Sequence, residues 1–194
     1  MLKTVFLVGL TLAIAIGGGA GSVLYALKGS ASFGAIRVGP WEAFPDVGTP
    51  DADPYMQARY AREGSLALGR AEGVEFRASV DTQDQPLSIQ CRYVVEGETP
   101  PARFWTIHAT DENQVALQGV GQRAAATSSL AILREAETTR FTVEVGAEPA
   151  SGNWLPVSGT GTMQLVLTLY DTPLANRTAA DTILPAIRRI ACDG

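Results

Sequence analysis

Gly73-Val74-Glu75-Phe76-Arg77-Ala78-Ser79-Val80 is the stretch that decides the fold. Val74, Phe76, Ala78 and Val80 alternate with Glu75, Arg77 and Ser79. A period of two puts one side of a strand in a core and the other toward polar surroundings. Further strands are predicted near 88–96, 103–109, 129–133, 140–146 and 162–170, separated by turn signals at Asp84, Gly97, Pro100, Pro101 and Gly152. Many short strands without helices between them predict a mainly β fold, an antiparallel β sandwich of the jelly-roll kind. One short helix precedes them. Asp53 offers a capping carboxylate, Pro54 lacks only an N–H that the first helical position leaves unused, and Gly64 supplies a left-handed stop. The helix is therefore predicted over 54–63.

Further toward the N-terminus the chemistry changes twice. Residues 29–53 hold Pro40, Pro45 and Pro50 with Gly29, Gly34, Gly39 and Gly48, which disfavours helix and central strand and reads as a semi-extended tether. Within it, Trp41 and Phe44 are expected to pack on the domain. From Thr4 to Leu27 the chain has no charge, and as a helix this segment would reach about 36 Å, enough to span a hydrocarbon core. A cleaved signal peptide would have a shorter apolar stretch and a small-residue cleavage site, which the residues around Ala31 and Phe33 do not spell out. A single transmembrane helix is favoured. The organisation is then an anchor over 1–28, a tether over 29–53 and a sandwich domain over 54–194. Gly17 and Gly21 have the close-packing spacing of membrane-helix dimers, so a homodimer through them is one expectation.

Lys3 and Lys28 are the only lysines, and they bracket the apolar segment. Beyond it lie thirteen arginines and twenty acidic residues, a net charge of −7. Nucleic acid is excluded as an expected partner, because phosphate binding needs a basic face. The two cysteines, Cys91 in a strand-like run and Cys192 near the C-terminus, are expected to form a disulfide. A terminal segment gains most from being tied to a sheet. Such a bond requires an oxidising compartment, so the domain is placed on the periplasmic side. Flanking charge leaves the orientation open, since Lys3 and the terminal amine are matched by Lys28 and Arg37.

No catalytic set is legible. One histidine, His108, with no free thiols cannot build the usual zinc site, and no cofactor motif is present. Asp81 and Asp84 resemble a carboxylate pair, but they flank a turn where aspartates cap their own backbone. Gly159-Thr160-Gly161 lacks the lysine of a phosphate loop and reads as a turn. In Asn153-Trp154-Leu155-Pro156 the asparagine can make a turn, the tryptophan can fill a core or groove, and the proline ends pairing. Trp105, Arg123, Asn153 and Trp154 are the candidate binding residues; an exposed Trp154 near Arg123 would point to ligand contact.

An ordered set of runs carries a resemblance. These are Asp53-Pro54-Tyr55, Ala71-Glu72-Gly73-Val74, Cys91-Arg92-Tyr93, Pro101-Ala102-Arg103-Phe104-Trp105-Thr106, Asn153-Trp154-Leu155-Pro156, Leu169-Tyr170-Asp171, and Leu184-Pro185 leading to Cys192. Over roughly 38–193 the chain is similar to the bacterial domain of unknown function family 1214, in its short membrane-anchored form. The resemblance implies a jelly-roll sandwich, an envelope location and frequent association with a companion domain of unknown function family 1254. It implies no established reaction. The chain departs from the pattern between Asp111 and Arg123: those two are kept, but Gln114 and Gly119 stand where a glycine and then an asparagine are usual, and Phe104 stands where a tryptophan is usual.

Three functional expectations follow. The first is a non-catalytic envelope module docking on a protein of the companion family. The second is a carbohydrate- or lipid-processing enzyme using Asp81 and Asp84, which would need a set carboxylate separation across a cleft. The third is a small-ligand-binding sandwich with Trp105, Arg123 and Trp154 at its mouth.

Overall fold

A computed structural model describes residues 2–28, 35–64, 67–69, 71–176 and 182–192. Ala31 and Phe33 lie outside them, as does the first part of the expected tether. Helix α1 runs Leu2–Lys28. Over Lys3–Tyr25 it is long and apolar enough to cross a membrane, and none of that stretch is buried against the domain. It is an N-terminal apolar helix of signal or anchor type.

The second helix, α2, spans Pro54–Glu63, as its local signals require. The Asp53 side chain accepts hydrogen bonds from the N–H groups of Tyr55 and Met56, and Gly64 closes the helix at φ 67°.

Ten strands form two sheets: β1 Ile36–Val38, β2 Trp41–Ala43, β3 Gly73–Ala78, β4 Cys91–Gly97, β5 Phe104–Thr110, β6 Ala126–Ser128, β7 Phe141–Gly146, β8 Asn153–Pro156, β9 Gln164–Tyr170 and β10 Ala186–Cys192. The six-stranded sheet has the order β1-β2-β3-β9-β5-β6, and the four-stranded sheet β10-β4-β7-β8. Together they make a mainly β sandwich. In β3 the alternation holds, with Val74, Phe76 and Ala78 at most 4% exposed and Glu75 and Arg77 on the other face. Gly73 is required where β3 meets β9, since a Cβ there would collide with the Leu169 carbonyl. Between the sheets, Trp105 of β5 stacks on Phe141 of β7 with ring centroids 4.9 Å apart. Each such fully buried large side chain contributes about 1.5–3 kcal/mol. The exposed Arg103–Asp171 pair, at 4.0 Å, contributes about 0–1 kcal/mol. The core therefore holds the sandwich together.

Three sequence expectations are corrected. The tether over 29–53 contains β1 and β2, a hairpin turned by Gly39 at φ 56° and Pro40 and paired through Glu42 and Ala43 to β3. The distant core stabilises it: Trp41 is fully buried and its Nε1–H donates to the Pro185 carbonyl at 2.7 Å. The strand expected at 129–133 is displaced to β6, because Ala131 N–H bonds back to the Ser128 carbonyl and turns the chain. Finally, β7 and β8 are parallel, with Val143 opposite Asn153 and Gly146 opposite Pro156. The connection 147–152 doubles back, helped by Gly152 at φ 85°.

Cys91 and Cys192 form a disulfide across a sequence separation of 101 residues. They face each other in the β4–β10 register, so the bond ties the C-terminal strand to the sheet. The same edge is blunted by Arg189, beside a register shift in β10. Its Nε lies 3.3 Å from Asp81 Oδ2, its Nη2 donates to the Pro86 carbonyl at 2.6 Å, and its guanidinium lies over the Tyr93 ring at 5.5 Å.

Candidate functional site

Three of the four candidate binding residues converge on the side of the sandwich where β6 and β8, each the edge of its sheet, come together. Asn153 opens β8 and works as a clamp. Its Nδ2 donates to the Leu133 carbonyl at 2.7 Å and the Thr142 carbonyl at 2.9 Å, and its Oδ1 accepts from Leu133 N–H at 2.6 Å. An amide side chain is suited to this, since it offers donors and an acceptor in one plane. The clamp binds the loop after β6 to β8.

Trp154 follows on the opposite side of the strand from the buried Leu155. Its indole Nε1–H donates to the Gly146 carbonyl at 3.0 Å, which fixes the ring across β7. The guanidinium carbon of the exposed Arg123 lies 5.7 Å from the Trp154 ring centroid. Arg123 is delivered by a loop that closes on itself. Gly119 packs so tightly on the Arg123 carbonyl that any Cβ would collide with it, while Ser158 Oγ bonds the carbonyls of Gln118 and Gly119 at 3.0 and 3.1 Å. At the start of that loop, Asp111 caps the N–H groups of Asn113 and Val115 at 2.9 and 2.8 Å. Gln114 completes the turn in the left-handed region, at φ 64°.

Trp105 is placed apart from this group. It is 4% exposed and stacked on Phe141, so it serves the core. An open groove of about 420 Å³ lies instead near α2, floored by Phe44, Val47 and Met56 and rimmed by Asp46, Asp51 and Asp53.

The carboxylates considered for catalysis are held in a turn. Asp81 is 2% exposed, its Oδ1 accepts from the N–H groups of Gln83 and Gln85, and its other oxygen faces Arg189. Asp84 is exposed and takes the left-handed conformation, φ 58°. His108 sits half-buried on the outward face of β5 with Phe104 and Thr106. Burial pushes its pKa below the usual value of 6.5, with Arg77 acting in the same direction and Glu75 against it. No group of three or more potential metal ligands is assembled among the described residues.

Sequence reasoning missed Leu130 and Leu133, which are 86% and 68% exposed. Their run, Leu130-Ala131-Ile132-Leu133, reads as a strand, yet only Ile132 reaches the core, at 8% exposed. Arg134 closes the loop by donating to the Ser129 carbonyl at 3.2 Å.

No curated protein matches this chain. Among solved structures, it is similar to a Vibrio parahaemolyticus protein with 18% identity and a TM-score of 0.58, over 72% of this chain and 36% of that one. An uncharacterized protein from Burkholderia cenocepacia matches with 19% identity and a TM-score of 0.41, over 74% of this chain and 44% of that one. The chain thus spans less than half the length of these two solved structures, and the Vibrio likeness bears on fold alone. Residues 72–174, which contain β3 to β9 and all four candidate binding residues, match the family described as protein of unknown function (DUF1214). The chain belongs to that family.

Proposed function

We propose that this protein is a non-catalytic interaction module of the bacterial envelope, held at the inner membrane by an uncleaved α1 and docking in the periplasm on a companion protein. The observation that carries the reading is the Arg123–Trp154 pair, an exposed guanidinium over a half-buried indole that is itself pinned to the Gly146 carbonyl. Tryptophan and arginine dominate the energetics of protein interfaces, and pre-fixed side chains lose little entropy on binding. The length and apolarity of Lys3–Tyr25 support the anchor, and the Cys91–Cys192 bond supports an oxidising compartment. The finer fold reading remains a jelly roll, with the parallel β7–β8 edge as its local variation.

The companion is expected to belong to the domain of unknown function family 1254. Pull-down of the full chain from detergent extracts, with and without crosslinking, tests the reading. Recovery of a defined companion at constant stoichiometry is expected; consistent recovery of the protein alone overturns it.

A further inference from the structure

The seam between β6 and β8 has a composition that neither core packing nor turn chemistry explains. Leu130 and Leu133 stand exposed in the loop after β6, and the Asn153 clamp holds Leu133 against β8. Trp154 lies next along that strand, under Arg123. Arg134 folds back over the same loop. Among the described residues, no ion pair joins Arg123 or Arg134 to a carboxylate. On a domain of net charge −7, the seam thus carries two exposed leucines, a half-buried tryptophan and two cations outside any ion pair among the described residues. Glu135 and Glu137 belong to the next turn, which bonds within itself through Glu135 N–H and the Arg140 carbonyl.

We propose that this seam docks an acidic segment of a separate envelope protein, one in which apolar side chains are flanked by carboxylates. The inference rests on the interaction reading above and adds the surface and the partner's chemistry. Charge complementarity argues for an acidic occupant. The sheet order argues against the bilayer: β1, which follows the N-terminal helix in the chain, and β6 lie at opposite edges of the six-stranded sheet. Five strand spacings separate those edges by about 24 Å.

The test uses the full chain in its native membrane, with a photo-crosslinking amino acid at Leu130. A control carries it at Ile183, which is 76% exposed and precedes β10 on the far edge of the other sheet. The expected result is a single protein adduct from position 130, at least about tenfold stronger than from 183. Its mapped attachment site should contain Asp or Glu beside apolar residues. Arg123→Glu with Arg134→Glu should abolish the adduct without changing the far-ultraviolet circular dichroism and with at most a small shift of the urea midpoint, and reversing the partner's mapped acids to arginine should restore it. Adducts to lipid, to a second copy of this chain or to a basic segment overturn the proposal, as do equal yields at both positions or none at 130. If a companion co-purifies while position 130 stays silent, the seam alone is wrong; if nothing co-purifies, the interaction reading beneath it falls.

Discussion

Arg123 and Trp154, 31 positions apart in the chain, meet with the guanidinium carbon 5.7 Å from the indole centroid, on the one side of the sandwich where both sheets end in short edge strands. At an exposed site such a contact is worth about 0.5–1 kcal/mol, too little to explain it as a stabilising device. Two exposed leucines, Leu130 and Leu133, stand in the adjoining loop, and the proposed companion would cover them together with this pair.

Asn153 is expected to be a scaffold for that surface. Asn153→Ala removes all three of its bonds to Leu133 and Thr142 and should cost about 2 kcal/mol in urea denaturation. Asn153→Asp keeps only the acceptor and turns oxygens toward two carbonyls, so it should cost at least as much. An unchanged midpoint in both variants would remove the clamp from the account.

The disulfide should contribute heavily. With a loop of 101 residues, replacing Cys91 and Cys192 together by alanine should lower stability by about 4–5 kcal/mol in the chain-entropy model. Alkylation of the native, non-reduced protein followed by mass measurement should show no modified thiol. Two modified cysteines would contradict both the bond and the compartment it supports.

Asp81 and Arg189 form a second staple between the 81–86 turn and the edge strand. Arg189→Ala leaves a carboxylate that is 2% exposed without its cation and should destabilise by about 3 kcal/mol. Combining Asp81→Asn with Arg189→Met should recover a good part of that loss. Thermal or urea unfolding of Asp81→Asn, Arg189→Met and their combination checks the coupling, and strict additivity would contradict it.

His108 sets a pH dependence whose sign follows from its burial. Its folded pKa lies below the usual 6.5, so between the two values the unfolded chain holds more protons than the native one. Its contribution is complete above about 6.5 and is lost as the pH falls from there toward the lowered folded value. His108→Gln should flatten the stability profile across that window. An identical profile in the variant would show that other groups carry the slope.

What could be read from the chain alone depended on how local the physics was. Helix α2 was legible to its end residues because Asp53, Pro54 and Gly64 determine its boundaries within a few positions. The six- and seven-residue strands β3, β4, β5, β7 and β9 were legible through alternation or apolar runs. The hairpin of β1 and β2 was not, since Trp41 is held by Pro185, 144 positions away. Strand β10 was also hidden: beyond Ile187 its residues are exposed, so there is no alternation to detect. The site was half legible. Arg123, Asn153 and Trp154 do gather, but Trp105 belongs to the core, and the exposed Leu130 and Leu133 sit in a run whose composition mimics a strand.

The most direct test of the interaction reading is the particle mass of the full chain, extracted in mild detergent and measured beside its Trp154→Ala and Arg123→Glu variants. The native chain should run as a defined complex with a companion protein, and both variants should run alone while keeping the fold. A native chain that runs alone, or variants that retain the companion unchanged, would contradict that reading.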